Sequence, residues 1–207
     1  MTDLEAPLRR FEEALSELVQ SDVLFIRLIH QDLVTAGGKR IRPRLVFLAS
    51  RALGGAPFEL ELALAVELLH SATLLHDDLI DDAETRRGKE AAFRKYGNAV
   101  SVLSGDFLLS RLLHVIAKTG RMELVERFAE VAKTLSEGEV LQFQVAALED
   151  YSLENYERII TAKTAVLMAL ATEGPALLLG AASRVREALY RYALLSGQPC
   201  QMRDEYL

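Results

Sequence analysis

Apolar residues recur along almost the whole chain at three- and four-residue steps, the spacing of helices with one buried face. Leu8, Phe11, Leu15 and Leu18 form such a stripe within 4–19. Ser21 or Asp22 offers a cap for a second helix, predicted to reach Ala36 and stop at Gly37-Gly38. A third spans 41–53 with Pro43 in its first turn, where a missing N–H is tolerated, and Gly54-Gly55-Ala56-Pro57 then breaks the chain. Residues 58–82 read as one long helix, apolar on most sides and therefore buried on most sides. The basic stretch 85–96 reads as a loop ending at Gly97-Asn98, followed by helices over 99–117 and 122–148. Ser152, with Glu154 and Asn155, opens a helix that continues through 161–179 with a kink expected at Gly174-Pro175. A last helix begins near Ser183. Alternating β-branched segments are scarce, and there is no strand-rich region, repeat or low-complexity linker. The pattern predicts a single all-α domain over 1–207, a bundle of long helices whose sites form from side chains on facing helices.

Composition narrows the class. Half of the residues are hydrophobic and 26% are charged, the usual balance of a globular protein. A formal net charge of −6 argues against broad binding of nucleic acid or an anionic membrane. The single cysteine, Cys200, excludes an intramolecular disulfide and fits a reducing compartment. Residues 1–20 are acidic and amphipathic, unlike a signal peptide, and no run approaches the roughly 20 apolar residues of a span. The expected location is cytoplasmic, with no membrane span.

The sharpest chemistry lies in His76-Asp77-Asp78-Leu79-Ile80-Asp81-Asp82. On a helix Asp77 and Asp81 are four apart and Asp78 and Asp81 three apart, so their carboxylates share one side and repel. They also occupy a helix C-terminus, where the macrodipole disfavours negative charge by roughly 0.3–1 kcal/mol each. Hard divalent cations that bridge carboxylate oxygens to phosphates relieve both penalties. A solvated acidic helix end is the plainer reading. Leu74, Leu75, Leu79 and Ile80 interleave the acids, which favours the rim of a core helix and a site.

A basic counterpart lies upstream. Gly37-Gly38-Lys39-Arg40-Ile41-Arg42-Pro43-Arg44 puts four cations at a loop-to-helix junction, where free N–H groups and glycine backbone suit an anion. Arg86-Arg87-Gly88-Lys89 repeats the logic just beyond the acids. A solvated loop accounts for either basic run alone. An acidic set that needs metals and two basic sets that need anions together describe a site for a diphosphate with magnesium.

These motifs resemble those of the trans-isoprenyl diphosphate synthase (polyprenyl synthetase) family. Gly38-Lys39-Arg40-Ile41-Arg42-Pro43 is similar to its GKxxRP motif. Glu67-Leu68-Leu69-His70 leading to Asp77-Asp78-Leu79-Ile80-Asp81 and Arg86-Arg87-Gly88 resembles its first aspartate-rich region. Gly105-Asp106, Gly138-Glu139 with Gln142, Lys163-Thr164 and Gln201-Met202-Arg203-Asp204 follow in the family's order. The resemblance implies an isoprenoid-synthase bundle of mostly antiparallel helices around a central cavity. It implies Mg2+ as cofactor, and isopentenyl diphosphate and an allylic prenyl diphosphate as substrates. Asp77, Asp78 and Asp81, with Asp204 of a second acidic motif, would bind magnesium. Arg86 would contact the allylic diphosphate, with Lys163, Thr164 and Gln201 near it. Lys39, Arg42, His70 and Arg87 would hold the diphosphate of isopentenyl diphosphate, and Gln142 would approach the allylic group. A homodimer is implied by the same analogy.

In this family, large aromatics four and five residues before the first aspartate floor the product pocket. Here these positions are Thr73 and Ala72, both small. Gln142, Leu135 and Phe128 recur at seven-residue steps, which places Phe128 roughly 21 Å along a helix from Gln142. The resemblance thus implies a long polyprenyl product, with geranylgeranyl diphosphate as the alternative. The family's second acidic motif would continue past Asp204-Glu205-Tyr206-Leu207, with Glu205 where an aspartate is usual. A C-terminal part is therefore expected to be missing, and the activity is expected of the complete protein, not of this chain. Three other readings compete: an HD-type phosphohydrolase using His70 and His76, a class I terpene cyclase, and a regulatory subunit of a heteromeric synthase. His30 and His114 lie far from the motif, so a histidine-rich centre is poorly supplied. The Lys39/Arg42 site for a second diphosphate argues against the cyclase.

Overall fold

The computed structural model describes residues 4–35, 37–86 and 88–206, without the side chains of 200 and 203–206. The fold is all-α, as its periodicity predicts. In chain order it comprises α1 (Glu5–Leu18), α2 (Leu24–Thr35), α3 (Ile41–Ala52), α4 (Glu59–Ile80), a ribbon of β1 (Thr85–Arg86) and β2 (Lys89–Glu90), and α5 (Ala92–Tyr96). Then come α6 (Asn98–Ala117), α7 (Met122–Leu148), α8 (Leu153–Ile160), a π-helical turn (Thr161–Ala165), α9 (Val166–Leu178) and α10 (Ser183–Tyr206). The chain divides into two compact units, Met1–Arg44 with Leu60–Thr119, and Leu45–Glu59 with Gly120–Leu207.

In the first unit α1 packs on α2, α2 on α6, and α5 on α6. Ser21 Oγ accepts a hydrogen bond from Val23 N (3.1 Å) in the turn just ahead of α2, and Arg27 N donates to Val23 O (3.0 Å) as the helix begins. Phe11, Leu15, Val19 and Ile29 are buried, each contributing roughly 1.5–3 kcal/mol of apolar transfer energy. Helix α4 is buried on every face over 62–69, which agrees with its nearly continuous apolar sequence. It ends in a Schellman arrangement: Ala83 N donates to Asp78 O (2.9 Å) while Asp82 takes φ +51°. An aspartate here does what glycine usually does.

Two expectations change in this unit. The stretch 85–96, predicted as a loop, forms an antiparallel ribbon with Arg86 opposite Lys89, and then the short helix α5. Gly88, at φ +78°, supplies the left-handed backbone that so tight a reversal requires. Helix α6 is, by length and composition, apolar enough to cross a membrane, although the sequence holds no uninterrupted apolar run of that length. Its buried face carries Ser101, Ser104, Gly105 and Leu108, and it packs on α2 and α5.

In the second unit α9 lies buried against α7 and α10. Ser152 caps α8 by accepting from Asn155 N (3.3 Å), as its sequence predicts. Helix α9 carries Pro175 within it, and Leu179 N still donates to Pro175 O (3.1 Å). Between α8 and α9 the chain takes one π-helical turn, Thr161–Ala165.

Candidate active site

The acidic residues sit where α4 ends. Asp81 N donates to Asp77 O (2.8 Å), so these two residues keep the helical spacing that aligns their side chains. Asp77 is half-buried and Asp81 exposed. Asp78 differs from both. It is buried, and its Oδ1 accepts from Nε (2.7 Å) and Nη2 of Arg86, a residue of β1. A buried carboxylate needs such a partner; removing one side of a buried pair costs about 3–5 kcal/mol. The ribbon therefore holds Arg86 beside the acids. Asp82 pairs with Arg94 of α5 (2.8 Å).

Next to the acids, the His76 ring lies 3.3 Å from Val102 O and 3.6 Å from Asp106 Oδ1 of α6. A Cβ at Gly105 would overlap that ring, so α4 and α6 meet at this glycine. A cavity in the first unit brings Asp78 and Arg86 together with Asp32, Lys89, Leu74 and Tyr96. Lys89 Nζ reaches both Asp32 Oδ1 (2.8 Å) and Thr35 Oγ1 (2.8 Å), tying the ribbon to α2. That hydrogen bond is the main cause holding the Asp32 carboxyl below its usual range. Lys39, Arg42, His70, Asp77 and Asp81 do not line this cavity.

The basic turn does not present four cations alike. Arg40 is buried and bound by Glu12 (2.7 and 3.0 Å) and Glu67 (2.8 Å). Burial works against its charge, but these two carboxylates outweigh it and raise its pKa. Arg44 turns back to donate from Nε to Lys39 O (3.0 Å). Lys39 is exposed, with no ion-pair partner among the described residues, and Arg42 is half-buried. His70, on α4, is half-buried, and its carbonyl accepts from Thr73 Oγ1 (2.9 Å). Ala72 is fully buried.

In the second unit the π turn carries Lys163 and Thr164. Lys163 Nζ contacts Glu139 (3.0 Å) and Gln142 Oε1 (2.8 Å), which share one face of α7 three residues apart. Thr164 Oγ1 donates to Gln201 Oε1, and Gln198 Nε2 donates to Thr161 Oγ1 (2.8 Å), so α10 clasps the same turn. The turn is approached closely on two sides. A Cβ at Gly138 of α7 would overlap Ala162, and one at Gly197 of α10 would lie 2.7 Å from Ala165 Cα. Phe128 and Leu135 are buried on α7. Arg87 and the side chain of Asp204 lie outside the described residues.

Sequence reasoning missed Glu139 as a member of the Lys163 cluster, although it stands three residues before Gln142. It also missed the partners of Arg40. Among the described residues no group of three His, Cys, Asp or Glu converges as a ready metal site. The donor chemistry of Asp77 and Asp81 nevertheless fits Mg2+, which is held by one or two carboxylates and completed by water and phosphate oxygens. Asp78 fits less well, because it already holds Arg86.

The polyprenyl synthetase family model matches residues 25–207. The chain belongs to that family. This polyprenyl synthetase chain is 37% identical over 195 residues to an octaprenyl diphosphate synthase of Escherichia coli, covering 94% of the chain and 60% of that relative. It is 36% identical over 203 residues to a short-chain isoprenyl diphosphate synthase of Methanothermobacter thermautotrophicus, covering 96% of the chain and 62% of the relative. A crystal structure of a polyprenyl synthase from Caulobacter crescentus, complexed with calcium and isoprenyl diphosphate, is 40% identical. It superposes with a TM-score of 0.92 over 98% of this chain and 62% of its own. The chain thus spans about three fifths of the length of these relatives.

Proposed function

We propose that the complete protein is a trans-prenyltransferase that condenses isopentenyl diphosphate with an allylic diphosphate to give a long-chain polyprenyl diphosphate. The observation that carries this is the pairing of Arg86 with Asp78 at the acidic end of α4, in a chain of the polyprenyl synthetase family. Asp77 and Asp81 share one side of a helix end that disfavours negative charge, so cation binding there relieves a penalty already present. The calcium and isoprenyl diphosphate of the Caulobacter relative support the same ligand chemistry.

In the reaction the allylic C–O bond breaks and diphosphate leaves with the electron pair. The double bond of isopentenyl diphosphate then attacks the allylic carbon, and loss of a proton from the new cation sets the new double bond. Bound Mg2+ supplies charge neutralisation on the leaving diphosphate. Asp77 and Asp81 would hold that metal. Arg86, oriented by Asp78, donates to the departing oxygens, and Lys39, Arg42 and His70 bind the second diphosphate. The family resemblance assigns Lys163, Thr164 and Gln142 to the allylic substrate. The family view that diphosphate itself accepts the proton fits a site with no evident protein base. Ala72 and Thr73 leave room for a lengthening tail. A homodimer follows from the same resemblance, and its direct test is the solution mass of the complete protein.

The phosphohydrolase reading is weaker, because the His76 ring is packed on Gly105 and turned toward Val102 O and Asp106. Replacing Asp77 or Asp81 by Ala tests the assignment. Isopentenyl incorporation by the complete protein should fall by about 10²-fold or more, the usual effect of removing charge stabilisation at a transition state. Unchanged incorporation in both variants would overturn it.

A further inference from the structure

The basic turn contains a cation that no ligand role explains. Arg40 has its side chain 7% exposed, and it draws on three separate segments. Its Nε and Nη2 meet both oxygens of Glu12 on α1, and its Nη1 meets Glu67 on α4. The guanidinium carbon also lies 5.9 Å from the centre of the Phe11 ring. Its backbone has φ +47°, a left-handed conformation that side chains other than Gly, Asn and Asp seldom take. The bidentate pair, the second carboxylate and the ring hold it there. At the same residue α3 begins, since Arg44 N donates to Arg40 O (3.0 Å).

The consequence concerns Arg40's neighbours. Lys39 precedes this reversal and Arg42 opens α3 just after it, so the backbone angle at Arg40 sets how the two stand to each other. Glu67 lies three residues before His70 on α4. The Arg40–Glu67 bond thus cross-links the turn that bears Lys39 and Arg42 to the helix turn that bears His70. Lysine at position 40 would keep the charge but not the fork geometry that meets two carboxylates at once.

We propose that Arg40 is a positioning residue for the isopentenyl diphosphate subsite. Locked between Glu12 and Glu67, it fixes the turn that presents Lys39 and Arg42 beside His70. This rests on the proposed reading in which those three residues bind the second diphosphate.

The test is steady-state kinetics of the complete protein carrying Arg40→Lys, Arg40→Met or Glu12→Gln, with Lys39→Gln measured in parallel. Positioning predicts that Arg40→Met raises KM for isopentenyl diphosphate about tenfold, with KM for the allylic substrate changed less than about twofold. Arg40→Lys should stay impaired, and Glu12→Gln should show the same selectivity to a smaller degree. Glu12 is partly exposed, so its variant reports even where Arg40→Met fails to fold. A purely structural role would lower the melting temperature and leave KM unchanged, or raise both KM values together; either result overturns the proposal. If Lys39→Gln leaves KM for isopentenyl diphosphate unaltered, the ligand assignment itself falls and the positioning role falls with it. A normal Lys39 response with silent Arg40 and Glu12 variants rejects the positioning role alone.

Discussion

At the scale of single residues, buried polar groups decide how the first unit responds to its surroundings. His30 is 1% exposed, stacks on Phe107 with ring centroids 5.1 Å apart, and bonds Ser104 O through Nε2 (3.3 Å). Burial, before any other influence, pushes its pKa below the usual 6.5. The folded state therefore keeps His30 neutral at a pH where the unfolded chain has begun to bind a proton. Stability from this group is complete above about pH 6.5 and declines as pH falls below it, by at most about 1.4 kcal/mol per pH unit. It levels off once pH passes below the folded pKa. Urea melts of the wild type and of His30→Leu between about pH 5 and 7.5 check this: the variant should show a flatter profile. Equal slopes would remove His30 from the account.

The spacing of Asp77, Asp78 and Asp81 is legible in the sequence, because three- and four-residue steps have one meaning on a helix. Their unequal roles are not. Asp78 is set apart by Arg86 on a ribbon whose strands are two residues each, too short to show any alternation. The basic turn teaches the same lesson. Four neighbouring cations read alike, yet Arg40 is claimed by acids 28 and 27 residues away along the chain, a pairing that local pattern cannot disclose.

At the scale of elements, the helices are legible almost to their ends, since a cap such as Ser152 acts on residues beside it. The π turn is not, because Thr161–Ala165 carries no Gly or Pro to mark it. Single π turns inside helices are uncommon and fall frequently at functional sites. Here the turn brings Lys163 to Glu139 and Gln142, and Thr164 to Gln201. Gly138 and Gly197 let α7 and α10 come close enough to do so. Gly197→Ala would force a methyl into contact with backbone at Ala165, and overpacking of this kind costs roughly 1–3 kcal/mol. Chemical denaturation should show that loss, together with reduced isopentenyl incorporation by the complete protein. A variant as stable and as active as the wild type would mean that the close approach has no consequence.

At the scale of the whole molecule, the functional reading concerns the length of the product and the identity of the reaction. Ala72 is fully buried on α4, five residues before Asp77, and Thr73 beside it is small. If the growing tail passes this point, Ala72→Phe should shorten the product by several isoprene units and leave the initial rate of condensation nearly intact. Chromatographic sizing of the dephosphorylated alcohols reads this directly, and an unchanged length would place the tail elsewhere. The most direct measurement supplies the complete protein with isopentenyl diphosphate and a short allylic diphosphate, with magnesium and again after chelation, and sizes what forms. The account predicts long prenyl diphosphates and released diphosphate with magnesium, and neither after chelation. Phosphate release without any carbon–carbon bond formation would contradict it.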